Sequence, residues 1–147
     1  MQERFETFTV LINRISRDIR KIKNQEMAAY HLRSAHVSCL YYVYSLGSVT
    51  SAELCEHCEE DKATISRAVD YLETNGFLLR DAGAKRYKSP LLLTEKGRDT
   101  GKRIAEKIDG VLETISHALT EEERIEFYRS LSTISRSLEA IVQNSEE

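Results

Sequence analysis

One stretch constrains the fold more than any other. Asp61-Lys62-Ala63-Thr64-Ile65-Ser66-Arg67-Ala68-Val69-Asp70-Tyr71-Leu72-Glu73-Thr74-Asn75-Gly76 reads as a short amphipathic helix with both ends marked. Asp61 is placed to cap the first free amides, and its charge suits the positive end of the helix dipole. Gly76 tolerates the left-handed conformation in which helices commonly end. Ile65, Ala68, Val69 and Leu72 fall at helical spacing and make one apolar stripe. Lys62, Thr64, Ser66, Arg67 and Tyr71 are left off it. A solvated helix face usually carries long charged pairs. This one carries a lysine, an arginine, hydroxyls and an aromatic ring, the side chains that reach phosphates and base edges in a DNA major groove.

The flanking residues extend the pattern. Thr50 to His57 is a second short helix, with Thr50 and Glu53 spaced as a capping box. Cys58-Glu59-Glu60 is a brief turn between the two, which makes a helix-turn-helix. After Gly76, Phe77 to Arg80 reads as a strand, Asp81 to Lys88 as a basic turn, and Ser89 to Leu93 as a returning strand. A hairpin after a reading helix is a wing. Lys85, Arg86 and Lys88 near Gly83 suit a loop lying along a phosphate backbone or in a minor groove.

From Lys62-Ala63-Thr64-Ile65-Ser66-Arg67 through Gly76-Phe77-Leu78-Leu79-Arg80 to Leu92-Leu93-Thr94-Glu95-Lys96-Gly97, the chain resembles the MarR-type winged-helix regulators. The order of helices before and after also fits, so the resemblance covers almost the whole chain. One departure is Ala84, where wings of that family often carry an Asp two residues before the tip arginine.

Length and composition agree. At 147 residues the chain suits one domain with a real core. A single proline and six glycines favour a mostly helical protein. The net charge of −3 does not announce a nucleic-acid binder, but its distribution does. From Lys62 to Arg103 ten bases stand against five acids, a local net charge of +5. No apolar run approaches the roughly 20 residues needed to cross a bilayer. Arg14, Arg17, Arg20, Lys21 and Lys23 follow directly on the first apolar residues, unlike a signal peptide, so a cytoplasmic protein without a membrane partner is expected.

Phe5, Phe8, Ile12, Ile15, Ile19 and Ile22 step by three and four along a long N-terminal helix. Asn24 to Arg33 reads as a linker or frayed turn. Ser34 is then placed to cap a helix through Leu46 that Gly47 ends. After Thr94, a long helix carries Ile104, Ile108, Val111, Leu112, Ile115 and Leu119, with Gly97, Gly101 and Gly110 awkward inside it. Thr120 caps the last helix, whose stripe is Phe127, Leu131, Ile134, Leu138 and Ile141. These stripes exceed what one small lobe can cover. Phe5, Phe8, Ile12 and Ile15 are therefore expected to meet Leu131, Ile134, Leu138 and Ile141 across a two-fold axis.

The expected fold is mainly α with a small β wing: a winged helix-turn-helix flanked by long N- and C-terminal dimerisation helices. Residues 1–147 form one domain, with 34–94 as the DNA-binding lobe and 1–23 and 95–143 as the dimerisation lobe. The expected DNA-facing set is Ser51, Lys62, Thr64, Ser66, Arg67, Tyr71, Arg80, Lys85, Arg86 and Lys88. The resemblance implies a homodimeric repressor on a pseudo-palindromic double-stranded DNA operator, released by a small aromatic or amphipathic effector near His36, Tyr41 and Tyr44.

Rival readings are a metal-responsive regulator of the same fold, drawing on Glu26, His31, His36, Glu106, Glu113 and His117, a thiol redox regulator, and a winged-helix protein-interaction module. Cys55-Glu56-His57-Cys58 is half a zinc site whose second ligand pair is missing. Cys39, Cys55 and Cys58 are therefore read as core or surface thiols, with no metal and no cofactor. No catalytic order or phosphate loop is present, so no enzyme is expected.

Overall fold

The computed structural model describes residues 2–58, 60–80 and 88–145, and only the backbone of Gln2, Glu3 and Phe5. The elements are α1 (Gln2–Glu26), a 3-10 turn (Ala28–Tyr30), α2 (Ser34–Leu46), α3 (Ser51–Cys58), α4 (Lys62–Thr74), β1 (Leu78–Arg80), β2 (Leu91–Leu93), α5 (Glu95–His117) and α6 (Glu121–Asn144). The chain divides into two compact units, Met1–Lys107 and Ile108–Glu147.

The first unit holds the core. α4 buries Ile65, Ala68, Val69 and Leu72, the stripe its spacing predicts. Leu40 and Val43 of α2, Leu54 of α3, Phe77, Leu78, Leu91 of β2 and Ile104 of α5 are buried as well, each at most 3% exposed, and α4 lies against α2, α3 and β1. A fully buried side chain of this size contributes roughly 1.5–3 kcal/mol, so this cluster fixes where α4 lies. β1 and β2 pair antiparallel, with Leu78 opposite Leu93, Leu79 opposite Leu92 and Arg80 opposite Leu91. The Leu91 N–H also donates to Val49 O at 2.8 Å, which ties the hairpin to the segment entering α3.

The helix ends follow local chemistry. Asp61 Oδ1 accepts from Thr64 N at 2.7 Å. Thr50 and Glu53 form a reciprocal cap, with Thr50 N donating to Glu53 Oε2 at 2.8 Å and Glu53 N to Thr50 Oγ1 at 3.2 Å. Gly76 sits at φ +77°, and Phe77 N reaches back to Leu72 O at 2.8 Å, closing the last turn of α4.

The segment expected as a linker is part of the fold. α1 runs on to Glu26, the 3-10 turn follows, and Met27 and Leu32 are buried at 3% and 2% exposure. Two apolar residues five positions apart show no period, which is why the sequence reads as loose there. Ser34 is the first residue of α2 and not its cap. The cap position is Arg33, whose N–H donates to His36 Nδ1 at 3.0 Å, while Ser34 N donates to Asn24 Oδ1 at 2.8 Å.

Two of the glycines in α5 mark close approaches. A Cβ on Gly97 would lie 1.9 Å from Phe77 O, and one on Gly101 would lie 2.8 Å from Tyr44 Cβ. Gly110 has nothing within 4 Å.

The second unit comprises the rest of α5 and α6. Thr120 Oγ1 accepts from Glu123 N at 3.2 Å and Thr120 N donates to Glu123 Oε2 at 2.8 Å, the reciprocal cap its sequence implies. α6 buries none of its residues. Among the described residues, no helix is long and apolar enough to cross a membrane.

Candidate nucleic-acid interface

α4 has two faces. The core side is apolar, and Lys62, Ser66 and Arg67 are exposed on the other side, with Thr64 half-buried beside them. The Arg67 guanidinium lies 3.4 Å from Thr64 Oγ1, so the two polar groups share one patch. The cap holds the patch in place. The hydrogen bond from Thr64 N stabilises the Asp61 carboxylate and lowers its pKa below the usual value. The first two turns of α4 thus present a lysine, an arginine and two hydroxyls from a backbone anchored at its N-terminus and along its buried stripe.

Three other residues expected on the DNA side have different surroundings. Ser51 is buried at 4% exposure in the first turn of α3, so its side chain offers almost no surface. The Tyr71 hydroxyl donates to His31 O at 2.8 Å, and its ring stacks on His36 with centroids 4.3 Å apart. Arg80 pairs with Glu73 and lies 3.6 Å from Asp70, with its side chain only 17% exposed. Both residues bind α4 to its neighbours. Tyr71 joins it to the turn before α2, where His31 holds a left-handed φ of +58°. Arg80 joins it to β1. Lys88 is exposed in the turn that precedes β2. Lys85 and Arg86, with Asp81 and Ala84, lie outside the described residues.

The residues expected near an effector are engaged in packing. His36 stacks on Tyr71, and burial followed by the nearby Arg33 charge lowers its pKa. Tyr41 meets Tyr42 edge-on at 5.3 Å. Tyr44 packs over Gly101. A shallow pocket lies elsewhere, lined by Tyr30, Glu95, Lys96, Asp99, Thr100 and Arg103. Sequence reasoning missed it: Tyr30 and Arg103, which are hydrogen-bonded, stand 73 positions apart. Lys96 was missed as well. Its ammonium donates to Asn75 O at 2.9 Å and lies 4.3 Å from the Phe77 ring, clamping the end of α4. Among the described residues, no group of three or more His, Cys, Asp or Glu side chains could hold a metal ion.

The apolar stripes of the long helices face outward. Ile12 and Ile15 of α1 are exposed, as are Ile134, Leu138 and Ile141 of α6, with Leu138 at 50% and Ile141 at 62%. Phe8 and Leu131 are half-buried, and the Phe5 side chain lies outside the described residues.

Comparison with known proteins gives a consistent result. Residues 32–86 match the profile of the MarR family. A curated relative is 28% identical over 85 residues, the uncharacterized HTH-type transcriptional regulator YwoH of Bacillus subtilis (strain 168). That match covers 58% of this chain and 62% of the relative, less than two thirds of its length. A MarR family regulator from Neisseria meningitidis superposes with a TM-score of 0.83 at 19% identity, covering 97% of this chain and 98% of that one. The MepR–DNA complex of S. aureus superposes with a TM-score of 0.80 at 19% identity, covering 89% of this chain and 97% of that one.

Proposed function

From the match of residues 32–86 to the MarR family profile, we propose that the chain is a member of that family and a cytoplasmic, sequence-specific DNA-binding transcriptional regulator, not an enzyme. The observation that carries the reading is the polar face of α4. Lys62, Ser66 and Arg67 project together from a helix whose opposite face is locked in the core. The fold shared with MepR, which has been solved on DNA, supports the same use of that face.

In this reading Lys62, Thr64, Ser66 and Arg67 enter the major groove, and Lys85, Arg86 and Lys88 hold backbone or minor groove. Arg80 and Tyr71 position α4, and Ser51 is buried in the first turn of α3. Residues 34–94 are the DNA-binding lobe. The stripes Phe5, Phe8, Ile12, Ile15 and Leu131, Ile134, Leu138, Ile141 build a two-fold dimer from segments 1–23 and 95–143. The exposure of the described part of both stripes supports that dimer. A two-fold dimer reads a pseudo-palindrome with half-sites about one helical turn, ~10 bp, apart. The protein represses by occupying a promoter and is released by a small effector.

The test is selection of bound duplexes from a random pool, followed by gel-shift titration of Arg67→Ala on the selected site. Loss of a base or phosphate contact should cost roughly 1–3 kcal/mol per half-site. A pool that yields no enriched palindrome, or an Arg67→Ala protein with undiminished affinity, refutes the assignment.

A further inference from the structure

Arg67 does not stand straight out from α4. Its Nη2 lies 3.4 Å from Thr64 Oγ1, three positions earlier in the chain. Its charge also acts on the carboxylate of Asp61, the residue that caps the helix. The guanidinium is therefore folded back over the first turn, the direction in which helical side chains lean. Ala63 belongs to that turn, four positions before Arg67 and so on the same face. Ala63 is exposed, as are Lys62, Ser66 and Arg67 around it. Its side chain is a single methyl group, so the polar face has one apolar spot where the guanidinium arrives.

The guanidinium keeps donors to spare. It carries five N–H groups in a fixed fork, and the Thr64 hydroxyl accepts one of them. The carboxylates of the same helix have other partners. Asp61 accepts from Thr64 N at 2.7 Å, Glu73 is paired with Arg80, and Asp70 lies 3.6 Å from Arg80. A fork held at one corner is aimed, and aim matters more for a base edge than for a phosphate, which attracts a cation from many directions. In the major groove, guanine presents two acceptors side by side, N7 and O6, whereas adenine sets an N6 donor beside N7. The one methyl group on the groove floor is that of thymine, and a bare alanine methyl is its apolar complement.

We propose that Arg67 and Ala63 together read two neighbouring base pairs in each half-site, Arg67 a guanine through N7 and O6 and Ala63 the methyl group of a thymine. The assignment rests on the DNA-binding reading above and names the bases that the same face selects. The spacing agrees with neighbouring pairs. Residues four apart are separated by about 6 Å along a helix, and the backward lean of Arg67 brings its tip toward Ala63, closer to the ~3.4 Å of one base step.

The experiment uses full-length protein and duplexes selected from a random pool. Each enriched half-site should contain a guanine and a thymine on adjacent base pairs. Titrations then use that duplex with one base altered in one half-site. Guanine with N7 replaced by C–H should weaken the wild type about tenfold, and Arg67→Ala, at salt low enough to bind, should not tell the two duplexes apart. Uracil in place of the thymine removes only the methyl group and should weaken the wild type about fourfold. Ala63→Gly should lose that discrimination and keep the one against the altered guanine. Ala63→Ser serves if circular dichroism shows that the glycine variant does not fold. An enriched duplex without the adjacent pair overturns the proposal. So does a penalty for the altered guanine that Arg67→Ala retains, or a uracil penalty that the Ala63 variant retains. Arg67→Ala weakening operator and random DNA equally makes Arg67 a backbone contact and overturns it as well. A pool with no enriched duplex refutes the DNA-binding reading, and this assignment with it.

Discussion

Gly97→Ala should destabilise this protein although alanine is the better helix former. In an exposed helix interior the exchange gains about 1 kcal/mol. Here the new Cβ would sit 1.9 Å from Phe77 O, 2.9 Å from Phe77 C and 3.2 Å from Leu93 Cδ2. A relaxed carbon–oxygen contact is about 3.3 Å, so α5 and the chain at Phe77 must separate by about 1.4 Å. The obstacle is backbone and cannot rotate away. Phe77 O also accepts from Thr94 N at 3.1 Å and from Thr94 Oγ1 at 3.2 Å, bonds that the same movement stretches. Overpacking costs about 1–3 kcal/mol and each weakened hydrogen bond about 0.5–1.5, so after the helix gain the net loss should be about 1–5 kcal/mol. Gly110→Ala, in the same helix with nothing within 4 Å, is the internal control and should gain up to about 1 kcal/mol. Both are measured by urea unfolding followed by circular dichroism at one fixed protein concentration. A Gly97→Ala midpoint at or above that of the wild type would mean that the α5–wing contact does not constrain the helix.

Further expectations concern the wing, the dimer and pH. Alanine at Lys85, Arg86 and Lys88 together should weaken operator and random DNA alike and flatten the dependence of log affinity on log salt; loss of operator preference at an unchanged slope would show that the wing reads sequence. Leu138→Glu should dissociate or unfold the protein, because an unpaired carboxylate in an apolar contact costs several kcal/mol; sedimentation equilibrium should give twice the 16.9 kDa chain mass for the wild type, and a single-chain mass refutes the dimer. His36 is held below its ordinary pKa of 6.5, so just below that value the unfolded chain holds a proton that the folded chain lacks. Stability should accordingly fall as the pH drops through about 6.5. His36→Gln, which keeps an acceptor for Arg33 N, should show a flatter profile from pH 7.5 to 5.5, and equal slopes would remove His36 as the cause.

What was legible in the sequence was what is local. The Asp61, Thr50 and Thr120 caps and the Gly76 stop involve groups within a few positions of one another. The Ile65–Leu72 stripe obeys a period. The roles of Tyr71, Arg80 and His36 were not legible, because each is set by a partner that only the fold brings near. Tyr71 reaches His31 across 40 positions. By type it belongs with groove-reading side chains, and by position with packing ones. The three glycines of α5 looked alike in sequence, and their neighbours in space separate them. Met27 and Leu32 show the same limit, since a short buried connection has no repeat to announce it.

The separation of α4 into a packed side and a polar side bears on how such a protein changes over generations. Ser66 and Arg67 are exposed, and exchanges at surface positions of this kind usually shift stability by no more than about 0.5 kcal/mol. Descendants can therefore try many side chains there without losing a folded chain, and with them, on the function proposed above, many target sequences. Tyr71 and Arg80 have no such latitude, since each secures the helix to another segment. Across a lineage, variation at positions 62, 64, 66 and 67 should follow the regulated promoters, while positions 71 and 80 should stay with the architecture.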